Sequence, residues 1–266
     1  VFHFEFDAAA ALPPVRECKG EMPLTVDGLD VTLDLGADAR LWSDRDPFLY
    51  GITVELDNGD AVHDRFGLRT FASAGRSLTL NGDKIFLRGY VDCCIFPLTG
   101  YPPEDKQVYV EQFAKAKEWG FNHVRLHSWT PSRVFFEAAD EAGILVQTEL
   151  PSWGNCNSEE YLAGAGDFLR SELERIVPHL QRHPSLVIHS MGNELLQAPA
   201  HGAGFRHSPF LDELVRRGRE LDPSRLYADQ TGFGHVPEEA ERETDLFVLH
   251  TFRGSQPDST QTWQAK

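Results

Sequence analysis

The chain has 266 residues, 41% of them hydrophobic, and 25 Lys and Arg against 41 Asp and Glu give it a formal charge of -16. That length holds one large domain, or a medium domain with a smaller one, and the apolar share is enough to build a core. The acidic balance repels nucleic acid and anionic membrane surfaces, and no stretch approaches the ~20 apolar residues that span a bilayer, so a neutral, hydroxyl-rich partner fits best.

The first residues, Val1-Phe2-His3-Phe4-Glu5-Phe6, alternate apolar and polar and show no charged block followed by an apolar one. The same period of two recurs in Leu24-Thr25-Val26, in Val31-Thr32-Leu33-Asp34-Leu35, and in Phe48, Tyr50, Ile52, Val54 and Leu56. A turn at Asp57-Asn58-Gly59-Asp60 then leads into Val62 to Phe71. These are antiparallel strands, and residues 1–72 are expected to form part of an immunoglobulin-like β-sandwich that starts mid-sheet.

After a hairpin centred on Asn81-Gly82 the rhythm changes to short apolar strands separated by segments of 3.6-residue periodicity. Six strands are expected: Lys84 to Gly89, His123 to His127, Ile144 to Glu149, Leu186 to Met191, Leu226 to Gln230 and Leu246 to His250. Helices are expected from Glu104 to Trp119 before Gly120, from Pro131 to Ala142 before Gly143, along the stripe Phe168, Leu169, Leu173, Ile176, Val177 and Leu180, and from Ser208-Pro209 to Leu221.

Repeated βα units imply a parallel sheet in an α/β protein, either open and doubly wound or closed into a (β/α)8 TIM barrel. No Gly-rich phosphate loop follows the first strand, and polar residues recur at the carboxyl ends of the strands: Asp92, His127, Glu149, Asn193-Glu194, Gln230 and His250. Barrels build their sites on that rim, so residues 73–266 are expected to be a TIM barrel of about six strands, lacking the seventh and eighth. Such a piece has two open edges and is expected to associate.

Cys18, Cys93, Cys94 and Cys156 are too sparse for a disulfide scaffold and lack the Cys-x-x-Cys spacing of a zinc site. They read as reduced thiols packed as small hydrophobes, with a strained Cys93-Cys94 disulfide as the lesser alternative. His183, His189, His201 and His207 do not converge in any ligand pattern, so neither metal nor cofactor is expected.

The chemistry concentrates at Asn193-Glu194, which close the apolar run Leu186-Val187-Ile188. Where a barrel strand ends the chain turns outward, and two successive side chains can both reach the cavity. Asn193 could then bond a substrate hydroxyl, while Glu194, partly desolvated, is suited to donate a proton to a glycosidic oxygen.

Gly192-Asn193-Glu194 at the fourth strand of a barrel, after sandwich-like strands, resembles glycoside hydrolase family 2, which holds β-galactosidases, β-glucuronidases and β-mannosidases. The likeness runs through Leu41-Trp42-Ser43, Pro47-Phe48-Leu49-Tyr50 and Arg65-Phe66-Gly67-Leu68-Arg69, then Leu80-Asn81-Gly82 and Phe86-Leu87-Arg88-Gly89. It continues in Gly120-Phe121-Asn122-His123-Val124-Arg125 and in Ala139 to Val146. The resemblance implies a retaining exo-β-glycosidase with Glu194 as general acid/base, Asn193 on the sugar's 2-hydroxyl, and a nucleophilic carboxylate on a seventh strand, beyond Lys266.

The chain departs from the family after the first strand, where Tyr90-Val91-Asp92 stands in place of Asn-Arg-His, and after the second, where His127-Ser128-Trp129-Thr130-Pro131 replaces Ser-His-Tyr-Pro. The sugar therefore stays open. Trp129 and Trp153 could stack on a sugar ring or pack loops. His127 and His250 could bond substrate or be structural, and Asp92 could clamp a hydroxyl or cap the Cys93 loop. Glu149, the other rim glutamate, is at a position the family does not use for its nucleophile. Arg88 and Arg125 are expected to hold barrel carboxylates, and residues 198–204 to shape the pocket. The competing reading is a non-catalytic carbohydrate-binding protein; an unrelated open-sheet enzyme would need the Asn193-Glu194 context to be accidental. A homo-oligomer is compatible with either.

Overall fold

The structure is a computed structural model that describes residues 2–3, 24–27, 30–33, 35–55, 59–154, 159–195, 208–232, 242–249 and 264–265. Before residue 70 the strands are antiparallel. β1 (Phe2–His3), β2 (Leu24–Asp27) and β3 (Asp30–Leu33) form one sheet in the order β1-β3-β2, and β4 (Tyr50–Glu55) pairs with β5 (Ala61–Phe66) in another. A sandwich needs two sheets facing across a common core, and the described residues do not show one. Val62, the second residue of β5, is 66% exposed.

A meander follows: β6 (Phe71–Ala74), β7 (Ser77–Leu80) and β8 (Asp83–Ile85). The expected turn at Asn81-Gly82 is present, with φ of 55° and 87°, the doubly left-handed conformation that matches the twist of a two-residue hairpin. The expected strand Lys84 to Gly89 is not continuous. Its first half completes the meander, and the first barrel strand is β9 (Gly89–Asp92). The cause is Asn122, which satisfies the intervening backbone: its Oδ1 accepts from Arg88 N at 2.8 Å and its Nδ2 donates to the Phe86 carbonyl at 3.2 Å.

From β9 the strands run parallel and neighbour one another in chain order, through β10 (His123–Leu126), β11 (Leu145–Glu149), β12 (Leu186–Ser190) and β13 (Leu226–Ala228). β14 (Thr231–Gly232) then pairs in parallel with β15 (Leu246–Leu249), beside which β16 (Gln264–Ala265) runs antiparallel. The connections are α1 (Lys106–Glu118), α2 (Arg133–Ala142), α3 (Glu159–Leu180) and α4 (Pro209–Leu221). Their limits follow local chemistry. Asp105 accepts from Gln107 N at the start of α1, Ser208 accepts from Leu211 N at the start of α4 with Pro209 next, and Gly143 stops α2 in the left-handed region.

Alternation along the strands sorts the side chains. Val124, Leu126, Ile144 and Val146 face outward and bury Tyr109 and Phe113 of α1 with Phe135 and Phe136 of α2. Farther round, α3 and α4 pack Leu169, Leu173, Leu214 and Val215 near Met191 and Tyr227. The floor is apolar too: Trp42, Phe71, Leu78 and Leu80 pack with Leu145, Val187, Ile188 and Leu226, so the meander and the Trp42 segment plug the amino-terminal end of the strands. Trp42 is fully buried and its indole donates to the Asp140 carbonyl at 2.8 Å. With the floor sealed by hydrocarbon, the polar residues of the strands gather at the opposite, carboxyl-terminal end. Among the described residues no helix is long and apolar enough to cross a membrane.

Candidate active site

The chain leaves the parallel ladder at Gly192. Its φ is 143°, and a Cβ there would stand 2.4 Å from the Ser152 carbonyl oxygen, so only glycine permits this crossing of backbones. Asn193 then donates its N–H to that Ser152 carbonyl at 2.9 Å and accepts from Gly154 N at 3.2 Å. Glu194 follows with φ of 52°, its N–H on the Thr231 carbonyl at 2.6 Å. The left-handed turn at Glu194 breaks strand alternation between two polar side chains that are neighbours in sequence.

The Asn193 side chain is fully buried. Its Oδ1 accepts from the Arg125 guanidinium, and its Nδ2 has no hydrogen-bond partner. Arg125 in turn pairs with Glu149, Nε to Oε1 at 2.7 Å and Nη2 to Oε2 at 3.3 Å. Glu149 Oε2 also accepts from Ser128 N at 2.8 Å, and Gln147 Nε2 bonds Thr231 Oγ1 at 3.0 Å. Glu149 is wholly buried and Arg125 nearly so. An ion pair this deep holds only because each partner compensates the other and the remaining lone pairs are filled.

Trp153 is 62% exposed. Its Nε1 donates to Glu194 Oε2 at 3.1 Å, and its ring stands edge-on to the half-buried His127 imidazole, 4.7 Å between centroids. The structure thus brings together Asn193, Glu194, Glu149, Trp153 and His127. Trp129 goes elsewhere: at 9% exposure it lies in the core, edge-on to Phe96 and Phe135, with its indole donating to the Asp92 carbonyl at 3.2 Å. Buried to this extent, it does not offer an open platform to a sugar.

Asp92 caps its own loop, Oδ1 accepting from Cys94 N at 2.9 Å, while Oδ2 accepts from Gln112 at 3.2 Å. Of the two arginines expected on barrel carboxylates, Arg125 is on Glu149, whereas the Arg88 Nε donates to the Gly120 carbonyl. Cys93 is exposed and Cys94 half-buried, both as free thiols; Cys18 and Cys156, like His250 and residues 198–204, lie outside the described residues. Among the described residues no group of three His, Cys, Asp or Glu could hold a metal ion. Sequence reasoning missed Ser152, Gln147 and Thr231. Gln147 could have been found, because strict alternation puts it on the inward face with Leu145 and Glu149. Ser152 contributes its backbone and carries no signal.

Burial holds neutral both His123, which opens β10 at its amino-terminal end, and His189 near the end of β12, each with its pKa pushed down to about 3. His189 lies flat against Tyr227, 5.4 Å between centroids.

Residues 73–253 match the TIM barrel domain of glycosyl hydrolases family 2. The chain is 29% identical over 222 residues to a β-galactosidase of Leuconostoc mesenteroides, an alignment covering 80% of this chain and 20% of that protein. It is 29% identical over 226 residues to a β-glucuronidase of Paenibacillus borealis, covering 77% of this chain and 36% of the relative. Among solved structures it is similar to β-glucuronidase 3 of Bacteroides uniformis, with a TM-score of 0.63, 27% identity, and coverage of 76% of this chain and 26% of that one. The chain therefore spans about a fifth to about a third of the length of these proteins. It belongs to glycosyl hydrolase family 2, and carries the TIM barrel domain of that family.

Proposed function

We propose that the chain carries the acid/base half of the active site of a retaining, exo-acting β-glycosidase. The observation that supports it most is the Asn193-Glu194 turn, where a buried amide with an unpartnered N–H adjoins a carboxyl that accepts from the exposed Trp153 indole. In this reading Glu194 protonates the glycosidic oxygen as the C1–O bond breaks, and a carboxylate on a seventh strand takes up C1 as an ester. Glu194 then removes a proton from water as water displaces that ester, which restores both carboxyl groups with the β configuration retained. Asn193 bonds the 2-hydroxyl, and Trp153 with His127 borders the departing group. The substrate is a β-galactoside, β-glucuronide or β-mannoside. Residues 1–72 belong, in the same reading, to an immunoglobulin-like sandwich ahead of the barrel.

A second reading, a non-catalytic carbohydrate-binding protein, draws on Glu149: the other rim glutamate is locked to Arg125 and unavailable as a nucleophile. The test is hydrolysis of aryl β-galactoside, glucuronide, mannoside and glucoside by the full reading frame that encodes this chain, and by its Glu194→Gln variant. Turnover of one sugar, cut on the order of 100- to 10,000-fold in the variant, supports the enzyme. Sugar binding without turnover in either protein supports the second reading.

A further inference from the structure

The loop after β9 leaves the sheet at the same end as Glu194, because β9 and β12 run parallel in one sheet and Glu194 follows β12. Val91 pairs in register with Arg125, so both lie on the face of the sheet where Arg125 reaches Glu149 and Asn193. Burial goes on alternating past the strand end. Cys94 and Phe96 pack against the outer core, whereas Val91, Cys93 and Ile95 are exposed. The tip closes on itself: Gly100 N donates to the Phe96 carbonyl and the Thr99 hydroxyl to the Tyr101 carbonyl, both at 2.7 Å, while Phe96 stands edge-on to Trp129. This fixed loop leaves Ile95 75%, Leu98 99% and Tyr101 65% exposed. Large apolar side chains clustered in water mark a contact surface, where single ones would not.

A chain of contacts joins this loop to Glu194. The Asp92 carbonyl accepts from His127 N at 2.8 Å, the His127 ring meets Trp153, and the Trp153 indole donates to Glu194. Resting on the glycosidase reading above, we propose that Ile95, Leu98 and Tyr101 form an apolar platform for the aglycone, and that the preferred substrates are β-glycosides of alkylated phenols or other apolar alcohols. The alcohol that takes the Glu194 proton lies beside Trp153, and a long one extends past His127 onto Ile95 and Leu98. The loop suits hydrocarbon better than the hydroxyls of a second sugar. Its Thr99 hydroxyl already donates to the Tyr101 carbonyl, and the Asp92 carboxylate is engaged by Cys94 N and Gln112. It also lies in the stretch after the first barrel strand where the sequence departs from the family pattern, so the preference belongs to this chain's own residues.

The experiment measures kcat/KM for 4-methylphenyl, 4-butylphenyl and 4-hexylphenyl β-glycosides of the sugar that the full reading frame encoding this chain turns over. These phenols are nearly equal in acidity, so the series varies hydrocarbon and not leaving ability. The hexyl compound is expected to exceed the methyl compound by about tenfold or more, well short of the roughly fourfold per methylene that complete burial would give. Leu98→Ser and Ile95→Ser are each expected to cut that ratio about threefold or more. Both substrates are read on one preparation, so the ratio does not depend on how much of a variant is folded. A ratio near unity in the parent, or one that both variants keep, overturns the platform and leaves the glycosidase reading intact. Self-association of the parent that Leu98→Ser relieves, with the ratio unchanged, also overturns it, because the patch would then be covered by protein. No turnover of any of the four aryl glycosides named above overturns both readings.

Discussion

The indole N–H of Trp153 reaches Glu194 Oε2 at 3.1 Å from a loop on a different strand, while the same ring meets His127 at an interplanar angle of 84°. Glu194 is thus oriented by a residue at the surface, outside the packed layers that hold the barrel together. Chemistry and stability should separate at this position.

Trp153→Phe keeps an aromatic ring beside His127 and deletes the donor. A hydrogen bond to a carboxylate at a half-open site is worth on the order of 1 kcal/mol. We expect kcat/KM on an aryl β-glycoside to fall roughly fivefold, with the melting temperature unchanged. Steady-state kinetics and a thermal melt on the same preparation check both halves.

Glu149 should behave in the opposite way. Its charge is buried against Arg125, so Glu149→Ala leaves a guanidinium without its counter-ion and is expected to cost about 3–5 kcal/mol. The double replacement Arg125→Met with Glu149→Leu removes both charges and should cost less than Glu149→Ala alone. Urea unfolding of Arg125→Met, Glu149→Leu and the double variant measures the coupling between the two residues.

His189 predicts an acid sensitivity with a definite sign. Its folded-state pKa lies near 3 because burial disfavours the cation, whereas the unfolded chain titrates near 6.5. As pH falls below about 6.5 the unfolded state takes up a proton that the folded state refuses, so stability is lost from there down toward about 3. His123 contributes with the same sign. His189→Phe keeps the ring against Tyr227 and should lose less stability between about pH 7 and about pH 5 than the parent protein. Urea midpoints at the two pH values test it; equal losses would mean His189 is not the proton acceptor.

Much of the frame was legible in the chain. The α4 limits follow from Ser208-Pro209, the Asn81-Gly82 hairpin from its turn residues, and the Asn193-Glu194 pair from two polar groups ending an apolar run. What was not legible depended on a partner distant in sequence. The first barrel strand starts later than its apolar run suggests because Asn122 occupies the backbone at residues 86 to 88. Trp129 turns into the core because Phe96 and Phe135 arrive from two other segments to receive it. Asp92 had two readings from sequence, and the Cys94 N–H together with Gln112 selects the cap.

The assignment of Glu194 is tested most directly by the leaving-group dependence of Glu194→Ala in the full reading frame. A dinitrophenolate departs without a proton, whereas an alkyl alcohol needs one. If Glu194 is the acid, the dinitrophenyl glycoside should be cleaved within about tenfold of the parent rate for formation of the glycosyl-enzyme, while the alkyl glycoside loses on the order of 100- to 10,000-fold. Added azide should then yield the β-glycosyl azide, because the intermediate is attacked from the face that Glu194 vacated. An equal loss for both leaving groups, with no azide product, would contradict the assignment.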